Sequence, residues 1–361
     1  MPMQKYELNF NGENVYVGID VHLKQWHVCV RTAHVSKKPF SQPPSALVLK
    51  QYLENNFPGG TYLSAYEAGF CGFSVHYELE SAGIRNIVFN PADINDTQKE
   101  RSRKTDAVDC IKICRNLMND ELKAIYVPSR EELGLRGYLS ARDTAVKKQR
   151  VAKQRIKSLL NRNGVKIPDE LFPTSKTHWS RHFNGWLEQV AADLGSGEGY
   201  RLNDLLKDLH HAHSQVLAAG RRLNEVISAH HMDTNELLLS IPGIGRVTAA
   251  RICLEVPHAS NFVNSDHLAS YIGFVPDVHG SDDNVYVRGI TYRRRVLLRS
   301  AFVESSWRAI GKDPAMGLAY SNYIKRGMKP NNAIIRIARK LVNRVFFVLR
   351  ERKRYEIARV R

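Results

Sequence analysis

Two hydrophobic periods divide this chain, and they divide it in sequence order. Short period-two segments rich in β-branched and aromatic residues gather in about the first 120 positions, whereas residues 130–163 contain no proline and almost no strand signal. A helix-period pattern does not settle as a strand, nor the reverse. The chain is therefore predicted to place a mixed α/β domain ahead of long helices.

Within the first part, VYVGID (15–20) and WHVCVR (26–31) flank a polar turn and predict a hairpin. A helix over 45–56, a Pro-Gly-Gly turn and the strand TYLSAYEA, ending near Glu67, follow. Next come a helix closed by Gly83, a strand over 84–90 stopped by Pro91, and an amphipathic helix over 104–118. Residues 130–163 form a basic helix with Arg136, Arg142, Lys147, Lys148, Arg150, Lys153, Arg155, Lys157 and Arg162, where only Asp143 opposes the cations beyond Arg136. Leu202, Leu205, Leu209, Ala212, Val216, Ala219, Leu223 and Val226 keep the alternating spacing of a coiled-coil seam, which an intramolecular hairpin or a dimerising arm would satisfy equally. Between these arms, 167–200 is expected to be a connector with one short helix, its GSGEG (195–199) a turn.

In the final third, LLLSIPGIGRVTAARICLEV (237–256) sets Pro242, Gly243 and Gly245 between two apolar helical runs. The pattern suits a helix-hairpin-helix turn whose backbone N–H groups hold a phosphate, and equally a plain helix corner. A loop, a possible hairpin and a helix carrying Arg293, Arg294, Arg295 and Arg299 are expected next, then a last helix over 331–355 with Arg336, Lys340 and Arg344 nearly on one side. The predicted domains are 1–125, 126–232 (helical, coiled-coil) and 233–361.

Charge narrows the choice of partner. Fifty-three Lys and Arg against 36 Asp and Glu leave a net charge of +17, which favours a polyanion through steering and counterion release. Nucleic acid is the expected partner. Neither an apolar leader core near the N-terminus nor a bilayer-length apolar run is visible, so a cytoplasmic, prokaryotic setting is expected. Cys29, Cys71, Cys110, Cys114 and Cys253 form no CxxC pair, and with His210, His211 and His213 they complete no tetrahedral ligand set. Packing accounts for the cysteines and a solvated helix face for the histidines.

Carboxylates are scarce in so basic a chain, which makes their positions informative. Asp20 closes an apolar strand, Glu67 closes a later one, and Asp106 and Asp109 lie three residues apart on one side of a helix in KTDAVD. Strand ends and a helix face are rigid supports from which side chains converge. Two Mg²⁺ or Mn²⁺ ions held by hard carboxylate oxygens would suit phosphoryl transfer. A strand ending in Asp, a hairpin, a strand ending in Glu and a DxxD helix follow the order of a ribonuclease-H-like (RuvC-like) core.

At these residues the chain resembles the insertion-sequence transposases and DNA invertases that carry a RuvC-like DEDD domain and a second, serine-bearing transposase domain. The resemblance rests on VGIDVH (17–22), YEAGFCGF (66–73), VFNPADI (88–94) and RKTDAVDC (103–110), and further on LLSIPGIGRVTAARI (238–252), HLASYIGFVPDVHGSDD (267–283) and the basic stretch after Gly289. It implies that Asp20, Glu67, Asp106 and Asp109 are the DEDD metal ligands, and that Ser281, an ordinary loop serine by composition, is the nucleophile forming a phosphoserine with DNA. Arg288, Arg293, Arg294 and Arg295 would stabilise phosphate charge. Where relatives carry small residues and glycines after the serine, this chain has Asp282, Asp283 and Asn284.

The resemblance also implies a structured noncoding bridge RNA that chooses donor and target DNA by pairing, with a tetramer as the working assembly. By charge, Lys147, Lys148, Arg150, Lys153, Arg155 and Lys157 are the expected nucleic-acid face, joined by Gly243, Gly245 and Arg299. Two other readings compete. One is a metal-dependent nuclease that hydrolyses DNA without a covalent intermediate; the other is a basic RNA-binding protein with a decayed site.

Overall fold

The computed structural model describes residues 9–91, 94, 106–171, 179–281, 284–292 and 294–357, without the side chains of 106–107 and 278–288. It divides into two compact units, Met1–Pro128 and Ser129–Arg361.

In the first unit, β1 (Asn14–Val21), β2 (Trp26–Arg31) and β3 (Phe40–Gln42) run as an antiparallel meander. Helix α1 (Ala46–Asn56) then leads to β4 (Thr61–Glu67), and α2 (Ser74–Ser81) to β5 (Arg85–Phe89). The sheet order is β3-β2-β1-β4-β5, with β4 parallel to both β1 and β5. This mixed sheet is compatible with the expected ribonuclease-H-like layout.

Helices cover both faces. Val15, Val17 and Ile19 pack with Leu49 and Leu53 of α1 and Val75 and Leu79 of α2. On the opposite face lies α3 (Asp106–Met118), whose Cys110 and Cys114 join Cys29, while its Ile113 meets Ala65 and Phe89. A central strand buried on both faces reads as a continuous apolar run, as VYVGID does.

The second unit is mostly helical. Its first helix, α4 (Arg130–Arg162), starts at a capping box: the Ser129 hydroxyl accepts from Glu132 N–H while the Glu132 carboxylate accepts from Ser129 N–H. Helix α5 (Arg181–Asp193) supplies the one short helix expected in the connector. The following α6 (Gly195–His230) already contains GSGEG, so that expected turn is corrected. The glycine at 199 serves packing instead: a Cβ there would lie 2.0 Å from the Ala191 carbonyl oxygen. Along α6 the expected seam is spent inside the chain, where Leu202, Leu205 and Leu209 meet α4 and α5, and Leu223 meets Leu139 of α4.

The unit continues with α7 (Met232–Leu239), α8 (Arg246–Glu255), α9 (Ser265–Ile272), a hairpin of β6 (Pro276–Ser281) and β7 (Asn284–Ile290), then α10 (Val296–Lys312), α11 (Pro314–Lys325) and α12 (Pro330–Glu351). Leu298, Phe302, Ile337, Leu341 and Val345 centre its core. Among the described residues, no helix is long and apolar enough to cross a membrane.

Candidate active site

The acidic site begins with a glycine. Gly18 in β1 faces α3 so closely that a Cβ would lie 2.2 Å from the Cys110 carbonyl oxygen and 2.4 Å from the Cys114 nitrogen. The helix therefore rests on strand backbone. Two residues on, and so on the same face, comes Asp20, whose Oδ2 lies 3.1 Å from His22 Nε2. Burial pushes the Cys110 thiol up to about 12, with Cys29 and Asp20 adding to the effect.

The neighbouring strand repeats the arrangement. β1 and β4 are paired in parallel as far as Ile19 with Tyr66, and Asp20 and Glu67 each follow by one residue. Ala65 packs against Ile113 of α3, so Glu67 is on the α3 face too. Asp106 opens α3, and Asp109, half-buried, follows in its first turn. The carboxyl ends of adjacent parallel strands and one helix start thus lie at the same end of the sheet, where open α/β folds bind ligands. Among the described residues, no three His, Cys, Asp or Glu side chains are grouped to hold a metal; the Asp106 side chain lies outside the described residues. In kind, the acids are the hard oxygen donors that a hard divalent cation takes.

In the second unit Ser281 ends β6, in register with Asn284 of β7. Its side chain, those of Arg288 and Arg293, and Asp282 and Asp283 lie outside the described residues. The expected arginine-studded helix is corrected at its start: residues 294 and 295 precede α10, with Arg295 as its N-cap. Arg299 donates to the carbonyl oxygens of Gly273 and Thr291, both at 2.9 Å, and so closes the base of the β6–β7 segment. Arg294 lies 6.0 Å above the Tyr292 ring and Arg295 4.2 Å above that of Tyr271.

Gly243 is buried with φ of +95°, and a Cβ there would come within 2.5 Å of the Ser305 carbonyl oxygen. The turn's first glycine thus packs on α10; Gly245, half-buried, leads into α8. On α4, Lys147, Lys148, Arg150, Arg155 and Lys157 are exposed. Lys153 is half-buried, 5.3 Å above the Trp179 ring, and its pKa is lowered by burial and then by Lys157. The histidines of α6 are exposed, with His213 bonded to Gln149 and His211 to Gln215.

Sequence reasoning missed His22, although its place two residues beyond Asp20, just past the end of β1, was the available signal. It also missed the buried Arg251, which binds Glu255 one turn along its own helix and the distant Asp143, because nothing in the sequence pairs positions 143 and 251.

Comparison with known proteins agrees with this arrangement at the level of class. A profile described as "Transposase", of the IS110 DEDD type, matches residues 17–163, and one described as "Transposase IS116/IS110/IS902 family" matches 235–321. The chain carries transposase domains. More particularly, the two matched stretches are similar to the transposase domains of the IS110 family. Similar proteins include y4qE of Sinorhizobium fredii, 25% identical over 248 residues (67% of this chain and 57% of that protein). The insertion element IS110 43.6 kDa protein of Streptomyces coelicolor is 29% identical over 175 residues (48% and 43%). The pilin gene-inverting protein of Moraxella bovis is 28% identical over 156 residues (43% and 46%). The chain therefore spans about half the length of these relatives.

Proposed function

We propose that this chain is a DNA-recombining transposase that cuts and rejoins strands, using an acidic site in a ribonuclease-H-like first unit and Ser281 in the second as nucleophile. The observation that supports it most is the register of β1 and β4, which sets a carboxylate, Asp20 and Glu67, directly after the last parallel pair on each strand, on the face covered by the DxxD helix. Asp20, Glu67, Asp106 and Asp109 would hold Mg²⁺ or Mn²⁺. When bound, such ions supply charge stabilisation at the phosphate.

Ser281 Oγ attacks phosphorus, forms a serine–phosphate ester and releases a deoxyribose hydroxyl. Attack by a new deoxyribose hydroxyl reverses the step, frees Oγ and makes one DNA ester for each one broken, so no outside energy is needed. Arg288, Arg293 and Arg294 neutralise the phosphate, while Arg295 is divided between that task and the Tyr271 ring. The exposed cations of α4 suit a nucleic-acid backbone, with a bridge RNA as the guide and a homo-oligomer, dimer or tetramer, as the assembly.

The test is covalent trapping. Ser281→Ala should abolish the protein–DNA adduct in denaturing gels and leave DNA binding within about twofold; Asp20→Ala should abolish cleavage altogether. An undiminished adduct from Ser281→Ala removes the serine assignment. Cleavage to free 3′-hydroxyl ends without any adduct establishes the hydrolytic nuclease instead.

A further inference from the structure

Two large apolar side chains stand in solvent beside the acidic site. Leu23, three residues past Asp20 in the β1–β2 turn, is 80% exposed, and Phe70, three residues past Glu67, is 63% exposed. Both line one open cleft of about 520 Å³ with His22, Lys24 and Gln25. Phe70 is displayed by a built turn: Gly72 N–H donates to the Gly69 carbonyl at 3.1 Å, and the buried Tyr66 hydroxyl donates to the Gly72 carbonyl at 3.0 Å. Gly72, at φ +56°, lets the chain close behind it.

We propose that Leu23 and Phe70 form a stacking platform for a nucleobase unpaired next to the phosphate that divalent ions held by Asp20 and Glu67 would bind. This rests on the reading of Asp20 and Glu67 given above. The occupant follows from the lining. An aromatic ring and an aliphatic side chain offer an apolar face, while Lys24 in the same cleft offers a cation to the backbone that carries the base. Face-to-face stacking on aromatic side chains holds bases without regard to sequence. Such a platform favours an unstacked or single-stranded nucleotide over an intact duplex, because a base inside the stack has no free face. Leu23 and Phe70 are positioning residues; neither touches the reacting phosphorus.

The experiment uses the full chain and a single-stranded oligonucleotide carrying 5-iododeoxyuridine at successive positions, irradiated and mapped by mass spectrometry. The adduct is expected on the peptide containing Phe70, and Phe70→Ala should lose it together with about tenfold in affinity for the oligonucleotide. Phe70→Tyr should keep both. Because the side chain is exposed, the variants should melt with the parent, and a thermal scan checks this. Adducts confined to other peptides, or a Phe70→Ala variant that binds as tightly as the parent, overturn the platform. A Phe70 adduct that persists while Asp20→Ala still cleaves DNA overturns the acidic-site reading instead and with it the proposed role, so the two failures are told apart.

Discussion

Arg251 shows how a single buried charge can hold a helical unit together. Its guanidinium is only 5% exposed and lies 2.6 Å from both oxygens of Asp143 on α4 and 2.6 Å from Glu255 on its own helix. Burial raises the pKa of Glu255, with Arg251 pulling against it. Breaking a buried pair leaves a charge without a partner and costs about 3–5 kcal/mol. Arg251→Met should therefore lower the unfolding free energy from chemical denaturation by about 3–5 kcal/mol at neutral pH. The sign of its pH dependence follows from the same shift. A carboxyl whose folded pKa lies above its unfolded value destabilises the fold above the folded pKa and ceases to do so once protonated in both states. The gap between variant and parent should narrow as pH falls toward the ordinary glutamate value of 4.5; a gap that widens there counts against the pairing. Asp143 was visible in the sequence as the one acid beyond Arg136 among the cations of its helix, but its partner was not. A salt bridge between positions 143 and 251 leaves no local pattern.

At the scale of elements, the close approach of β1 and α3 governs the acidic site. With Gly18 pressed on the backbone at Cys110 and Cys114, the yield of a Cβ must come from the helix or the strand, not from a flexible side chain. Gly18→Ala should destabilise the first unit by about 1–3 kcal/mol and lift the start of α3 from the strand ends, so that cleavage falls further than stability does. Chemical denaturation and a cleavage assay measure the two effects separately, and a variant of parental stability and activity would falsify this account of the helix position. The strands and α3 were legible because their apolar residues repeat at two or near 3.6. The short β3 was not, since FSQ carries no alternation. Helix α11 was missed because its turn from α10 is a single residue, Asp313, which is buried and paired with Arg344. Glycine misled at GSGEG, where it signals a turn in sequence but allows helix packing in the fold. The structural bonds of Arg299 were equally hidden, since nothing local to its charge announces the two backbone carbonyls it meets.

For the molecule as a whole, the net charge of +17 makes binding to nucleic acid a question of salt. Each phosphate neutralised by a Lys or Arg releases condensed counterion, and the slope of log affinity against log salt steepens by about 0.9 per contact on duplex DNA and about 0.7 on a single strand. Lys147, Lys148 and Arg150 are exposed along α4, and changing all three to alanine should reduce the slope by about 2–3, with the larger value on duplex. Anisotropy titrations of a labelled duplex and a labelled single-stranded RNA over a series of salt concentrations give both slopes. A fall in slope on RNA alone would assign this face of α4 to the guide, whereas a fall on DNA alone would assign it to the substrate. Affinity lost at every salt with an unchanged slope would mean that these side chains act on the fold and not on phosphate. That outcome is separable here, because α4 is held by Leu139, Ile156, Leu159 and Leu160 on its buried side, and substitutions on the solvent side leave that packing in place.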